Sequence, residues 1–107
     1  MRIESDLGLG QLRIETVLHF FDPQRFIDPA WVAKVILESG SEQAFLEELA
    51  SLDEKRNSGG GAETQVAWWA PENERGRASF TRDNVLIKVV IAEEDDQPVA
   101  YMAWSIF

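Results

Sequence analysis

Cysteine is missing from this chain, and histidine occurs once, at His19. Without thiols there is neither a disulfide nor a thiolate metal site, which excludes a zinc ribbon and a cysteine nucleophile together. Catalytic triads and zinc sites both need an imidazole in specific company, so a single His19 narrows the available chemistry sharply. Basic residues are also scarce: 10 Lys and Arg stand against 19 Asp and Glu, a formal charge of -9. A surface that tracks nucleic-acid phosphates is therefore not expected, and a basic partner is. Long apolar runs are absent too. The longest, Val85 to Ala92, contains Lys88 and falls far short of the roughly 20 residues a membrane span needs. Glu4, Asp6, Arg13 and Glu15 interrupt every candidate leader segment behind Arg2. A soluble, cytoplasmic protein is the expectation.

Several signatures are incomplete. Gly8-Leu9-Gly10 starts like a dinucleotide fingerprint, but Arg13 stands where its third glycine belongs. Gly59-Gly60-Gly61 lacks the Gly-Lys-Ser/Thr ending of a phosphate-binding loop, and no serine sits in a Gly-x-Ser-x-Gly elbow. Glu93, Glu94, Asp95 and Asp96 lack the alternating spacing of a calcium loop and read as a solvated hairpin turn. No cofactor is implied.

What is present is enough apolar material for a core: 107 residues, 45% hydrophobic, with four Trp and six Phe. This suits one domain covering residues 1–107, with a flexible glycine-rich loop at 57–62. Each half alone is marginal in size, so the two halves are expected to share a core.

Leu12, Ile14, Thr16, Leu18 and Phe20 share one parity, which predicts one or two antiparallel strands before Asp22-Pro23. Asp28-Pro29 then resembles a helix cap followed by a first-turn proline, and Trp31, Val32, Val35 and Ile36 follow at helical spacing up to Ser39-Gly40. Ser41 is positioned to cap a second helix with Phe45, Leu46, Leu49 and Leu52 as its buried stripe. Beyond the glycines, strands are expected at Thr64 to Ala70, Arg77 to Arg82, Val85 to Ala92 and Val99 to Phe107. The fold class is α+β: an antiparallel sheet of about five strands with an αα pair on one face, in the order β-β-α-α-β-β-β-β.

Two features point toward a binding surface. Between Glu38 and Glu54 lie six acids (Glu38, Glu42, Glu47, Glu48, Asp53, Glu54) and no base, which gives the second helix a negative outer face. Trp68-Trp69 on a strand would send its indoles to opposite faces, exposing one as an interface anchor. The expected partner-binding residues are Glu42, Glu47, Glu48, Glu54, Trp68, Trp69, Glu93, Glu94, Asp95 and Asp96. Arg75, Arg77 and Arg82 form the one basic island, for which local ion pairing is favoured over an anion site.

Pro98-Val99-Ala100-Tyr101 and Trp104 resemble a strand of the acyltransferases that activate bacterial toxins, over about ten residues and without a cofactor-binding pattern, so no function is carried over. In size and charge the chain is similar to immunity proteins and anti-defence inhibitors. The reading that follows is a small acidic, non-catalytic inhibitor of a nucleic-acid-binding or toxin protein. The alternatives are a homodimeric adaptor or chaperone-like module, using a free edge of the apolar C-terminal strand and an exposed indole, and a small enzyme built on His19 and a nearby carboxylate.

Overall fold

A computed structural model describes residues 2–22, 30–55 and 66–106. They form α1 (Arg2–Leu7), β1 (Ile14–Phe21), β2 (Ala30–Leu37), α2 (Glu42–Leu52), β3 (Glu74–Arg82), β4 (Val85–Glu94) and β5 (Gln97–Ile106). The strands make one antiparallel sheet in the order β1-β2-β5-β4-β3. The α+β class and the five-stranded sheet thus agree with the sequence reading. The αα pair does not: the stretch expected to be its first helix is β2. Asp28-Pro29 and the glycine-rich loop lie outside the described residues, as do Thr64 and Gln65. Among the described residues, no helix is long and apolar enough to cross a membrane.

The exchange of helix for strand at β2 has a clear cause. Trp31, Val32, Val35 and Ile36 fit a helical stripe, but the same residues fit a strand covered on both faces, where the two-residue alternation disappears. Trp31, Ala33, Val35 and Leu37 enter the main core, while Val32 and Ile36 pack on the opposite face. β-branched and aromatic side chains favour the extended form. Their partner is β5, paired from Ala30–Ser105 to Ile36–Val99.

At β1 the strand is correct and its alternation is not. The register shifts between Ile14 and Thr16 and again between Val17 and His19. These bulges make Ile14, Val17 and Phe20 the members opposite Leu37, Val35 and Ala33, a spacing of three instead of two. Leu18, expected inside, is 43% exposed. The bulges also make this edge a poorer template for pairing with another chain.

The main core fills one face. Trp31 lies at its centre, fully buried, stacked between Phe20 (5.7 Å between ring centres) and Trp104 (6.3 Å). Its indole N–H donates to Asp6 Oδ2 at 2.8 Å, so the buried donor is satisfied. Ile3 and Leu7, one helical turn apart, turn the face of α1 into this core. The chain then leaves the helix at Gly8, whose φ of +60° suits glycine. Arg82 Nη1 donates to the Leu7 carbonyl at 3.1 Å, in the space a Gly8 side chain would occupy.

α2 covers the rest of that face with Phe45 and Leu49 buried and Leu46 and Leu52 half-buried, as its stripe predicts. It crosses β3 at Gly76, where a Cβ would lie 2.7 Å from Leu46 Cδ2. Ser41 occupies the capping position without capping: its hydroxyl donates back to the Glu38 carbonyl at 2.7 Å. After the helix, Asp53 Oδ1 accepts the Ser79 N–H (3.1 Å) and Glu54 N–H donates to the Ser79 carbonyl (2.9 Å), covering part of the outer edge of β3.

Trp31→Phe should keep the ring stack and lose the Asp6 bond, at a cost of about 1 to 2 kcal/mol. Trp31→Ala should cost about 4 kcal/mol, through the cavity it leaves. Urea unfolding followed by circular dichroism measures both, and equal losses would contradict the central role given to the ring.

Candidate functional site

The expected acidic residues divide into groups with different employment. Asp95 and Asp96 form the two-residue turn between β4 and β5, with φ values of 53° and 62°. Two successive residues at positive φ make the hairpin turn type that Asp and Asn tolerate, and Asp83-Asn84 does the same between β3 and β4. The hairpin reading of these runs therefore agrees with the structure. Beside the first turn, a cleft of about 470 Å³ is lined by Asn73, Glu74, Arg75, Glu93, Asp95 and Asp96. Four carboxylates and one guanidinium are among the groups that line it.

Within that group, Arg75 pairs with Glu93, and Arg77 pairs with Glu74 as a neighbour three residues on. The Arg77 hydrogen bond holds the Glu74 carboxyl below the usual carboxylate range. Arg82 is committed to the end of α1. Arg75 and Arg77 thus make the local ion pairs expected of the basic island, while Arg82 bonds backbone carbonyls. The Arg75 and Arg77 pairs are both well exposed, and each contributes little to stability in water.

On α2 the acids separate. Glu47 is exposed and accepts from Gln43 Nε2 at 3.3 Å, and Glu42 is half-buried in the first turn. Glu48 is occupied: its two oxygens accept the Gly10 and Gln11 N–H groups, both at 2.9 Å, and pin the loop after α1. Glu54 accepts from Thr81 Oγ1 at 3.1 Å. The structure gathers Glu93, Asp95 and Asp96 at one end of the sheet and puts Glu48 and Glu54 to structural use.

Trp68 and Trp69 overturn their expected placement. Residues 66–70 carry no strand, and both indoles, half-buried, lean on the same sheet face, opposite the helices. Beneath them lie Val32, Val90, Ala92, Val99, Tyr101 and Ala103. Trp68 stacks on His19 with ring centres 5.0 Å apart and 12° between planes, and Trp69 meets Tyr101 edge-on at 5.5 Å. The only described histidine ring contact is this stack. A strand could not place adjacent side chains on one face, whereas a turn at Ala67-Trp68 can.

On the same sheet face is a polar group the sequence reading missed. Glu94, expected as a partner-facing acid, is instead shielded: Lys34 Nζ lies 2.9 Å from its Oε1, with side chains only 16% and 18% exposed. The Tyr101 hydroxyl donates to Glu94 Oε2, and the Glu72 N–H donates to the same oxygen at 3.3 Å. Lys34 also lies 5.1 Å from the centre of the Tyr101 ring. A lysine inside the apolar run Trp31–Leu37 was the available signal, because a cation among buried neighbours needs an anion brought to it.

Burial opposes the charge of each member, and the partners outweigh it for the ions. For Glu94, desolvation is overcome by the bonds from Tyr101, Lys34 and the Glu72 amide, which bring its carboxyl below the ordinary range. For Lys34, desolvation is overcome by Glu94 and Tyr101, which raise it. Tyr101 is raised by burial and by donation to Glu94.

Comparison with known protein families, with curated proteins and with solved structures finds no match.

Lys34 and Tyr101 both have higher values folded than unfolded, so their stabilisation is complete below the usual lysine and tyrosine ranges and is lost as pH rises through the shifted values. Unfolding free energy should therefore fall above about pH 10. Tyr101→Phe should cost about 1 to 2 kcal/mol at neutral pH and flatten that decline. A chemical-denaturation series across alkaline pH reads both, and an unchanged slope in the variant would contradict the assignment.

Proposed function

We propose that this protein is a small acidic, non-catalytic binding protein of inhibitor, immunity or anti-defence type, which docks on a basic protein that itself binds nucleic acid or acts as a toxin. The observation that carries the reading is the cleft beside the β4–β5 turn, where the exposed Asp95 and Asp96 stand beside the Arg75–Glu93 and Arg77–Glu74 pairs. The overall charge of -9 adds a long-range field of the same sign. Such a field raises the encounter rate with a basic surface and orients the approach, while exposed pairs add little affinity individually. The tight two-residue turn fixes the position of Asp95 and Asp96, so the charges are presented with little ordering cost.

α2 crosses β3 at Gly76, two residues from Glu74, and carries Glu42 and Glu47 on the neighbouring element. These acids extend the negative surface. Glu48, Glu54 and Glu94 support it indirectly by holding the loop after α1, the exit of α2 and the sheet's second face. Trp68 and Trp69 cover that second face as half-buried rings, and their exposed portions supply apolar contact area.

The homodimer reading draws on a free edge at the C-terminal strand and on an exposed indole. β5 lies between β2 and β4, and the sheet edges are β1 and β3. That removes the strand-edge part of its basis; the half-buried indoles are the other part.

The test uses asparagine, which tolerates positive φ and therefore removes charge without disturbing the turn. Asp95→Asn/Asp96→Asn should leave the thermal midpoint unchanged and slow association with a captured basic protein by roughly an order of magnitude. Raising salt from about 50 mM to about 300 mM should have a comparable effect on the wild-type chain, because exposed charges are screened over that range. Capture that ignores both salt and the double substitution contradicts the docking reading.

A further inference from the structure

The segment from Val66 to Glu72 lies over the sheet's second face as a strap, and its attachments differ from those of every strand. Among the described residues, its backbone bonds are the Ala70 N–H to the Trp68 carbonyl, which is internal to the strap, and the Glu72 N–H to Glu94. The remaining hold is made by side chains: Trp68 on His19, Trp69 on Tyr101, and both indoles on the apolar residues beneath. The sheet is different. Four ladders hold β1 through β3 together, and an apolar core backs the opposite face.

Glu94 is where the strap and the sheet meet. Its carboxylate accepts from Lys34 on β2, from the Tyr101 hydroxyl on β5 and from the Glu72 amide at the end of the strap. Tyr101 is also the ring that Trp69 packs against edge-on, so a change at Glu94 reaches the strap through both its backbone and an indole. The other ionisable and polar groups around it are accounted for. His19 is the ladder partner of Lys34 on β1, and Gln97 is the ladder partner of Glu94 itself. Glu72 carries its own exposed side chain, Asp95 and Asp96 form the adjoining exposed turn, and neighbouring Glu93 is paired with Arg75.

We propose that Glu94 is an acid-sensitive latch: protonating its carboxylate removes the counter-charge of Lys34, weakens the Glu72 and Tyr101 bonds, and releases the Trp68–Trp69 strap while the sheet stays folded. Charge-assisted hydrogen bonds are roughly twice as strong as neutral ones, so a neutral Glu94 holds all three donors less firmly. Lys34, left shielded with no anion, gains by swinging toward water, which disturbs the Tyr101 ring it lies over. Elements with few backbone bonds to their neighbours open at lower free energy than core strands. Release uncovers Val32, Val90, Ala92, Val99 and Ala103, an apolar surface that neutral pH keeps covered. The inference does not rest on the docking reading, and its test involves no partner.

The full chain labelled with fluorotryptophan gives one fluorine NMR line for each of Trp31, Trp68, Trp69 and Trp104, assigned by single Trp→Phe substitutions. In Glu94→Gln at neutral pH, broadening of the Trp68 and Trp69 lines by a soluble paramagnetic agent should rise roughly threefold or more, with the Trp31 line unchanged. The wild-type chain, acidified to below the ordinary carboxylate range, where Glu94 takes up its proton, should show the same two lines changing before circular dichroism reports loss of the sheet. The latch is overturned if all four lines change together in the acid titration. It is equally overturned if the strap lines in Glu94→Gln match those of wild type, or if that variant loses the sheet as a whole.

Discussion

The antiparallel pairing of β2 with β5 is the constraint from which the rest of the structure follows. It joins a strand from the first third of the chain to the last strand. It also brings Trp31 beside Trp104 and Val35 beside Ala100 on one face, and Lys34 beside Tyr101 on the other. Because both strands are interior, each needs cover on two sides. α1 and α2 supply it on one face, through Ile3, Leu7, Phe45 and Leu49. The Trp68–Trp69 segment supplies it on the other.

The chemistry of the two ends of the sheet follows from the same arrangement. Asp95 and Asp96 are solvated because the β4–β5 turn projects beyond both covers, so their charges are free to act at a distance. One residue earlier, Glu94 bonds Lys34, Tyr101 and the Glu72 amide and becomes the anion of a shielded cluster. Adjacent acids in the sequence thus do opposite work: one pair shapes the external field, and its neighbour ties β2, β4, β5 and the strap together.

The β-rich second half was legible because its turn residues are strong. Asp83-Asn84 and Asp95-Asp96 are local signals, and the strands between them carry β-branched residues. α2 was legible from a stripe of four apolar residues at helical spacing. β2 was misread because burial on both faces removes the alternation that separates strand from helix. The bulges of β1 were invisible, since an irregular ladder depends on the partner strand and not on the local sequence. The short α1 was hidden by the glycines after it, although Ile3 and Leu7 already had the spacing of one turn. Of the candidate site, the acidic hairpin could be read directly. The Lys34–Glu94–Tyr101 cluster could not, because its members meet only through strand register.

The central functional claim is that the acidic hairpin end is the surface that meets a basic protein. Backbone NMR shift mapping of the isotopically labelled chain, with a captured basic partner added stepwise, tests it most directly. The account predicts that the largest perturbations fall at Asn73 to Arg75 and Glu93 to Gln97, which line or adjoin the cleft. Perturbations centred instead on Leu18 and Phe20 along β1, with the hairpin end unmoved, would contradict it.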